Sequence, residues 1–245
     1  VHGFYHVSTV GERWMQVVRR QLSKLQQGPL LDIVQAIHVG SSGFMSDVVP
    51  SLLSTGRNDS KFQFVDHNLR EKYLALGGSH LAREVPTLQL MYEHCAKPEN
   101  EDGWVFYLHS KGVGHPWPKF KWTQDWTEYM EALLFERPHL CLHALHTGSD
   151  MCGTELMLGS KPHYAGNFWW TTCLRVRTLQ EPDAMLPMTS ETWGHPENWI
   201  GSKPGTKMMS LMSAYESDMY GADLPPEAYA PIADLLPAVA CPACP

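Results

Sequence analysis

The chain has 245 residues, of which 43% are hydrophobic, so it can bury a sizeable core, and we expect one compact domain. Nineteen basic residues against 26 acidic ones give a formal charge of −7 with no basic cluster, which argues against a nucleic-acid partner. The same charge balance favours a small ligand as the partner. No apolar run reaches the length of a membrane span, so the sequence predicts no membrane segment in this chain.

The compartment stays open from the sequence. The chain begins at Val1 on an apolar segment without a signal peptide, which indicates a truncated N-terminus and leaves the secretory-pathway lumen and the cytoplasm as alternatives. Six scattered cysteines predict buried thiols rather than a disulfide scaffold. Cys241 and Cys244 have CxxC spacing, but no second CxxC accompanies them, so we predict no metal or redox role there.

Strands and helices alternate in the first half of the chain. Strands are predicted at residues 4–10, 32–39, 62–66 and 104–108, with helices at 12–27 and from Pro86 to His94. This order implies a Rossmann-like α/β fold with a mainly parallel central sheet flanked by helices. In such sheets ligands bind beyond the carboxyl ends of the strands, which singles out Thr9, residues 40–43 and residues 109–112.

The second half is less regular. Helices are predicted at residues 122–137, 138–146 and 171–179, and strands at 151–158 and 164–168. Residues 225–245 are rich in Pro and Ala, which predicts a loosely held C-terminal arm.

The first chemical motif is HSKGVG at residues 109–114. It combines a strand end, the cation of Lys111 and two glycines, and the exposed amide of Gly112 can approach an anion closely. The motif could therefore hold a diphosphate. It is not a P-loop, because the lysine precedes the glycines, and the alternative is a lysine on a surface turn.

The second motif is HYAGNFWW at residues 163–170. Four aromatic rings beside an imidazole and an amide suit a sugar, whose apolar face stacks on rings and whose hydroxyls need polar partners. The alternative is a half-buried edge strand. Because adjacent strand residues point to opposite sides, we expect one of Trp169 and Trp170 to face the core, and we predict that Trp170 faces the ligand.

The third motif is SETWGHPENWIG at residues 190–201. Pro196 can open a short helix with Glu197 in its first turn, where the positive helix end favours an ionised carboxylate. A carboxylate between aromatic residues is a candidate general base. The alternative is that Glu197 only caps this helix.

The thirteen histidines raise the question of a metal site. Cys141, His143 and His146 fall on one predicted helix, but zinc needs three or four convergent ligands, and no HExxH pattern is present. We therefore interpret these as surface or capping histidines and predict no metal ligand.

The motifs YLHSKG (107–112), DW (125–126), HYAGNFWW (163–170) and ENWIG (197–201) together resemble a family of glycosyltransferase-like proteins. That family's pattern is roughly YLHTKG, dW, HfsGNfWW and EmWIG, in the same order, and the resemblance covers most of residues 3–220. It implies a GT-A domain over residues 1–224, followed by the tail at 225–245. It also implies an enzyme that moves a sugar from a nucleotide-sugar donor to a hydroxyl of a glycan or glycoconjugate.

The resemblance also implies roles for individual residues. Glu197 would be the catalytic base of an inverting transfer, whereas a retaining enzyme would have no such base, and the sequence leaves both alternatives open. The implied donor contacts are Thr9, His109, Lys111 and Gly112, and the implied sugar or acceptor contacts are His163, Asn167, Trp170 and Trp199. GT-A enzymes usually hold Mn²⁺ or Mg²⁺ with an Asp-x-Asp pair at the end of the strand that corresponds to residues 104–108. This chain has His109, Ser110 and Lys111 at that position. A divalent metal therefore stays possible without an identified site, and Lys111 and His109 are predicted to hold the donor.

Two other functions remain open from the sequence. The missing Asp-x-Asp pair fits a non-catalytic glycan-binding protein on the same fold. A metal hydrolase using His109, His143 and His146 is the second alternative, and it predicts tightly bound zinc.

Overall fold

The structure is a computed structural model that describes residues 1–9, 11–42, 59–67, 71–189, 195–213 and 223–235. Its strands are β1 (His2–Ser8), β2 (Ala36–Ser42), β3 (Phe62–Asp66), β4 (Trp104–His109), β5 (Met151–Gly153), β6 (Leu156–Met157), β7 (His163–Tyr164), β8 (Trp169–Thr172) and β9 (Met208–Ser210). Seven of them form a central sheet in the order β3-β2-β1-β4-β8-β5-β9, and β6 pairs with β7 in a separate ribbon. Only β8 runs antiparallel to its neighbours in this sheet.

Helices cover both faces of the sheet, which confirms the predicted α/β class. They are α1 (Trp14–Gln27), α2 (Leu30–Ile33), α3 (Glu71–Leu74), α4 (Val85–Ala96), α5 (Lys119–Leu134), α6 (Pro138–His146), α7 (Cys173–Val176), α8 (His195–Trp199) and α9 (Pro226–Leu235). Within the part of the chain that the structure describes, no helix has the length and apolar character needed to cross a bilayer.

Side-chain alternation along the strands divides the core between the two faces. Tyr5 and Phe106 belong to a cluster that includes residues of α1, α5 and α6. Their strand neighbours Phe4 and Tyr107 point the other way and belong to a cluster with residues of α4 and α7. Both faces of the central strands are therefore buried, as expected for a parallel sheet covered by helices.

Several predicted boundaries differ from the structure. Strand β2 begins at Ala36 rather than at residue 32, because Leu30–Ile33 forms a helical turn. The strand predicted at 151–158 is divided into β5 and β6, since Glu155 between them has a positive φ of 52°. The helix predicted at 171–179 begins at Cys173, where the Thr172 hydroxyl caps it by accepting a hydrogen bond from the Arg175 N–H at 3.2 Å.

Residues 226–235 of the predicted C-terminal arm form a helix, which corrects the prediction of a loosely held segment there. These residues form α9, and the Tyr229 ring is buried in an edge-to-face contact with Tyr129 of α5, at 5.4 Å between centroids. Burial of this aromatic ring holds the helix against the domain. Val10, Gly43, residues 190–194 and the CxxC pair at Cys241 and Cys244 lie outside the described residues.

Two disulfides replace the predicted buried thiols. Cys95 of α4 is bonded to Cys173 of α7, and Cys141 of α6 is bonded to Cys152 of β5. The Cα atoms are 4.8 and 5.3 Å apart, within the range that a disulfide needs. The first pair is 78 residues apart in sequence, and only packing of α4 beside α7 brings its members together.

Candidate functional site

Polar residues converge where the parallel strands β1, β2 and β4 end. The strands run in register, so Ser8 lies beside Ser42, and His6 lies beside His109. The Ser8 N–H donates to the Ser110 hydroxyl at 2.8 Å, which ties the ends of β1 and β4 together. This edge is where α/β sheets bind their ligands.

A tight turn between β7 and β8 reaches this edge. The motif HYAGNFWW is therefore not one strand, because Gly166 and Asn167 have φ values of 92° and 56°. A Cβ on Gly166 would lie 2.6 Å from the Met130 sulfur, so both the conformation and the space require glycine. The Gly166 N–H donates to Glu197 Oε1 at 2.7 Å, and the Gly166 carbonyl accepts from His109 Nε2 at 3.0 Å.

The Asn167 side chain connects this turn to Glu84, a residue that the sequence analysis missed. Asn167 Nδ2 donates to Glu84 Oε2 at 2.5 Å, and Asn167 Oδ1 accepts from the Trp169 indole N–H at 2.7 Å. The Tyr107 hydroxyl also donates to Glu84 Oε2, at 3.0 Å. In sequence, Glu84 has only the pattern of an acidic residue before a helix, yet its side chain does not cap α4.

His109 lies between these groups as a neutral imidazole. Burial and the charge of Lys111 lower the pKa of His109 to about 3, although the Gly166 carbonyl and Glu197 act in the opposite direction. At pH 7 its Nε2–H therefore donates to Gly166, and the 3.4 Å approach of His109 Nδ1 to Glu84 Oε1 is not an ion pair.

Lys111 supplies the cation of the site. Its Nζ lies 4.2 Å from the centroid of the Trp126 ring, in cation–π contact. Burial lowers the pKa of Lys111, and the negative charges of Glu197 and Glu84 oppose this shift. The next residue, Gly112, has a φ of 80°, and a Cβ there would lie 2.5 Å from Thr123 Cγ2, so this loop has no room for a side chain.

Trp170 does not face a ligand, so this prediction is wrong. Its side chain is fully buried, its indole N–H donates to the Leu134 carbonyl at 3.0 Å, and its ring lies 4.8 Å from that of Phe106. Trp169 is equally buried on the opposite face of the sheet, stacked on Tyr107 at 5.3 Å. Helices cover both faces at β8, which leaves neither indole exposed.

Three other predicted contacts lie apart from the turn or are engaged elsewhere. The buried Thr9 hydroxyl donates to the Ser42 carbonyl at 3.1 Å. His163 is on β7, where Nδ1 donates to the Lys161 carbonyl at 2.9 Å. Trp199 is 4% exposed, and its indole N–H donates to the Gln180 carbonyl at 2.8 Å.

A cavity of about 720 Å³ lies beside α8. Trp199 and Asn198 form part of its wall, together with Lys161, Glu181 and Met208. Glu197, His109 and Lys111 do not line it, so this cavity and the polar edge are on different sides of α8. The structure therefore assigns Trp199 to the cavity and Glu197 to the polar edge.

The histidines named for a metal hydrolase do not converge. In the described ranges, the only group of three or more His, Cys, Asp or Glu residues with ligand atoms within 4.8 Å of one another is His2, His38 and His94. His109, His143 and His146 form no such group, because His109 ends β4, whereas the other two lie on α6. Glu84 and Glu197 likewise belong to no three-ligand set.

The polar edge thus brings together a lysine, a neutral imidazole and two carboxylates around one glycine turn. No curated protein matches the chain. The family described as Domain of unknown function (DUF8361) matches residues 4–223, which include all the residues of this site and every described strand except the first two residues of β1. The chain therefore belongs to the DUF8361 family.

Proposed function

We propose that this protein is a glycosyltransferase of the GT-A type, which moves a sugar from a nucleotide-sugar donor to a hydroxyl of a glycan or glycoconjugate. The observation that carries the proposal is the meeting of Lys111, His109 and Glu197 at the Gly166 turn, on the carboxyl edge of the sheet. A donor diphosphate needs a cation, and an acceptor hydroxyl needs a base. This edge offers both within one cluster.

Lys111 and the Gly112 backbone are the proposed diphosphate contacts. The leaving diphosphate gains negative charge, which a nearby ammonium group and backbone N–H groups can stabilise. The donor set fits a divalent metal poorly, because Mn²⁺ or Mg²⁺ needs several oxygen ligands, whereas Glu84 already accepts bonds from Tyr107 and Asn167. We therefore propose that donor binding depends on Lys111 and His109 rather than on a metal.

Glu197 is the proposed base. In an inverting transfer, its carboxylate takes the proton of the acceptor hydroxyl while the acceptor oxygen bonds to the sugar C1. The bond between C1 and the phosphate oxygen breaks, and the diphosphate leaves with the electron pair. The bond from the Gly166 N–H to Oε1 fixes the carboxylate, so that its other oxygen can face the acceptor.

A non-catalytic glycan-binding protein is the second candidate, and the hydrogen bonds that Asn167 makes inside the protein favour it. Both ends of the Asn167 amide are bonded inside the protein, and the Trp170 ring is buried. A transferase site that relied on these two groups for substrate contacts would have to rearrange. Glycan binding at the cavity beside Trp199 would not require this change.

The test combines donor binding and turnover. A thermal-shift screen against nucleoside diphosphates and nucleotide sugars, with Mn²⁺ or with chelator, should identify a donor that binds in chelator and loses affinity in Lys111→Met. A bound donor at a hundred times its Kd stabilises the fold by about 2.7 kcal/mol, which is readily measured.

With that donor, Glu197→Gln should lower kcat by about 10²–10⁴-fold, because the amide cannot take a proton. Glu136→Gln is the matched control, since Glu136 pairs with Lys24 away from the turn, and its kcat should not change. Turnover of Glu197→Gln within tenfold of the unmodified protein would exclude Glu197 as the base. Glycan binding without binding of any nucleotide sugar would favour the second candidate.

A further inference from the structure

Three histidines meet at the amino edge of the sheet, opposite the polar edge described above. His2 is the first residue of β1, His38 lies in β2, and His94 lies in the last turn of α4. In the parallel register, His38 pairs with Phe4, so His2 and His38 point to the same face, towards α4. The ring centroids of His2 and His94 are 4.3 Å apart, and that of His38 is 5.6 and 5.5 Å from them.

Each ring has one buried nitrogen without a hydrogen-bond partner among the described residues. These atoms are His2 Nδ1, His38 Nε2 and His94 Nε2. One potential ligand atom of each residue lies within 4.8 Å of the others. Unpaired buried polar atoms are rare because they lose their bonds to water, so three at one place require an explanation. A metal ion bound by all three rings would satisfy every one of them.

The surroundings prepare His2 to act as a ligand. His2 Nε2 lies 2.7 Å from Gln35 Oε1, an acceptor, so Nε2 carries the proton and Nδ1 keeps its lone pair. Metal-bound histidines are commonly oriented in this way by an acceptor on the other ring nitrogen. For His94, Asn100 Nδ2 lies 3.4 Å from Nδ1 and donates to the His94 carbonyl at 2.9 Å, so the Asn100 amide holds the Nδ1 side of the ring and leaves Nε2 to the cluster.

The cluster also has an entry path for a cation. A cavity of about 350 Å³ opens beside His2 and His94, and Glu99, Glu101 and Asp102 line it, so a cation would be attracted.

We propose that His2, His38 and His94 bind a zinc ion at the amino edge of the sheet. Three imidazoles with a fourth position open to water are a known ligand set for Zn²⁺. Tetrahedral ligands about 2.0 Å from zinc lie about 3.3 Å from one another, so modest rotations of the rings suffice. The ion would join β1 and β2 to α4 next to the Cys95–Cys173 disulfide.

The test uses tag-free full-length protein in which Cys241→Ser and Cys244→Ser remove the CxxC pair. After chelator treatment and dialysis, calorimetric titration should give one equivalent of Zn²⁺ and a raised Tm, whereas Mg²⁺ should give neither. His38→Gln should weaken zinc binding at least 100-fold. His146→Gln is the matched control, because this exposed histidine lies outside the cluster, and it should bind zinc as before.

A second measurement does not depend on how well a variant folds. X-ray absorption of the zinc-loaded protein should show three imidazole ligands. No stoichiometric zinc, fewer than three imidazole ligands, or unchanged affinity in His38→Gln would each overturn the proposal. Folding of each variant is checked by circular dichroism, and if His38→Gln fails to fold, the ligand count from X-ray absorption decides.

Discussion

Asn167 uses a left-handed backbone conformation and both ends of its amide to organise the polar edge. Its Nδ2 donates to Glu84, and its Oδ1 accepts from Trp169. Because the side chain is 2% exposed, water cannot replace either bond. The identity of this residue as an amide, with one donor end and one acceptor end, is therefore required by its neighbours.

Asn167→Asp tests this requirement with almost no change of shape. The new carboxylate would face Glu84 without a donor between them, and we expect a loss of about 3 kcal/mol in the free energy of unfolding at pH 8. The deficit should shrink at lower pH, because a shared proton restores the bond. Urea unfolding at several pH values measures it.

A double variant that exchanges the amide and the carboxylate between positions 84 and 167 is the matched control. In Glu84→Gln combined with Asn167→Asp, the new amide can donate to the new carboxylate, so the double variant should be more stable than Asn167→Asp alone. Equal stability of the single and double variants would show that this contact does not determine the turn.

The sequence identifies some residues of the site and not others, for physical reasons. Lys111, Asn167 and Glu197 stand in motifs whose residue types suggest chemistry, and the structure brings all three to one edge. Glu84 could not be found, because its partner Asn167 is 83 residues away in sequence. Trp170 is predicted to face the ligand because side-chain alternation along a strand places Trp169 and Trp170 on opposite faces of the sheet. Alternation does not show that helices cover both of these faces.

At the scale of elements, the two disulfides join helices to their neighbours across the fold. Cys95–Cys173 closes a loop of 78 residues, and Cys141–Cys152 closes one of 11. Disulfides persist in oxidising environments and are rare in reducing ones, so these two bonds make the stability of the fold sensitive to reductant.

Loop size predicts which disulfide contributes more. By the chain-entropy estimate, the longer loop contributes about 4.5 kcal/mol and the shorter one about 2.8 kcal/mol. Replacing both cysteines of the first pair by serine should therefore lower the urea midpoint further than the same change in the second pair. The reverse order would contradict the entropic explanation. Peptide mapping without reductant verifies each bond beforehand.

Regular elements were predicted best where their pattern is local. Helix α6 and strand β3 begin and end where apolar periodicity and turn residues place them. Strand β2 was misplaced because Asp32 and Ile33 belong to a helical turn that is only one turn long. Helix α9 was missed because its stability depends on Tyr229 meeting Tyr129, a contact that composition does not reveal.

At the scale of the whole molecule, buried histidines make stability depend on pH. Burial lowers the pKa of His6 to about 4; Glu84 opposes this shift, and His109 adds to it. His6 is 2% exposed, and its Nδ1 forms a hydrogen bond with the Thr87 hydroxyl at 2.9 Å. The folded protein therefore keeps this ring neutral under conditions in which the unfolded chain binds a proton.

The sign of the pH effect follows from these values. Above pH 6.5 the ring is neutral in both states, and as the pH falls towards 4 only the unfolded state takes up the proton, so stability is lost. A shift of this size corresponds to roughly 3 kcal/mol for His6. Urea unfolding in chelator at pH 7 and 4.5 should show a smaller difference for His6→Asn than for the unmodified protein.

His146→Asn is the control for this experiment, because it removes an exposed histidine. Its pH dependence should match that of the unmodified protein. An unchanged pH dependence in His6→Asn would mean that His6 titrates alike in the folded and unfolded states.

The overall α/β class was predictable because alternating strands and helices in the first half permit few arrangements. The antiparallel strand β8 was not predictable, since it enters the sheet beside β4 directly from the Gly166 turn. That insertion places the turn next to the ends of β1 and β4. The polar edge is thus a product of topology as well as of motifs.

The Gly166 turn has a consequence for how relatives of this chain can vary. Its N–H, its carbonyl and the adjacent amide bond to Glu197, His109 and Glu84, which lie in three separate segments of the chain. A substitution at one of these positions leaves a buried partner unmatched. In an alignment of DUF8361 sequences, positions 84 and 167 should therefore change together or not at all. A glycine should be kept at position 166 even where the flanking aromatic residues are replaced.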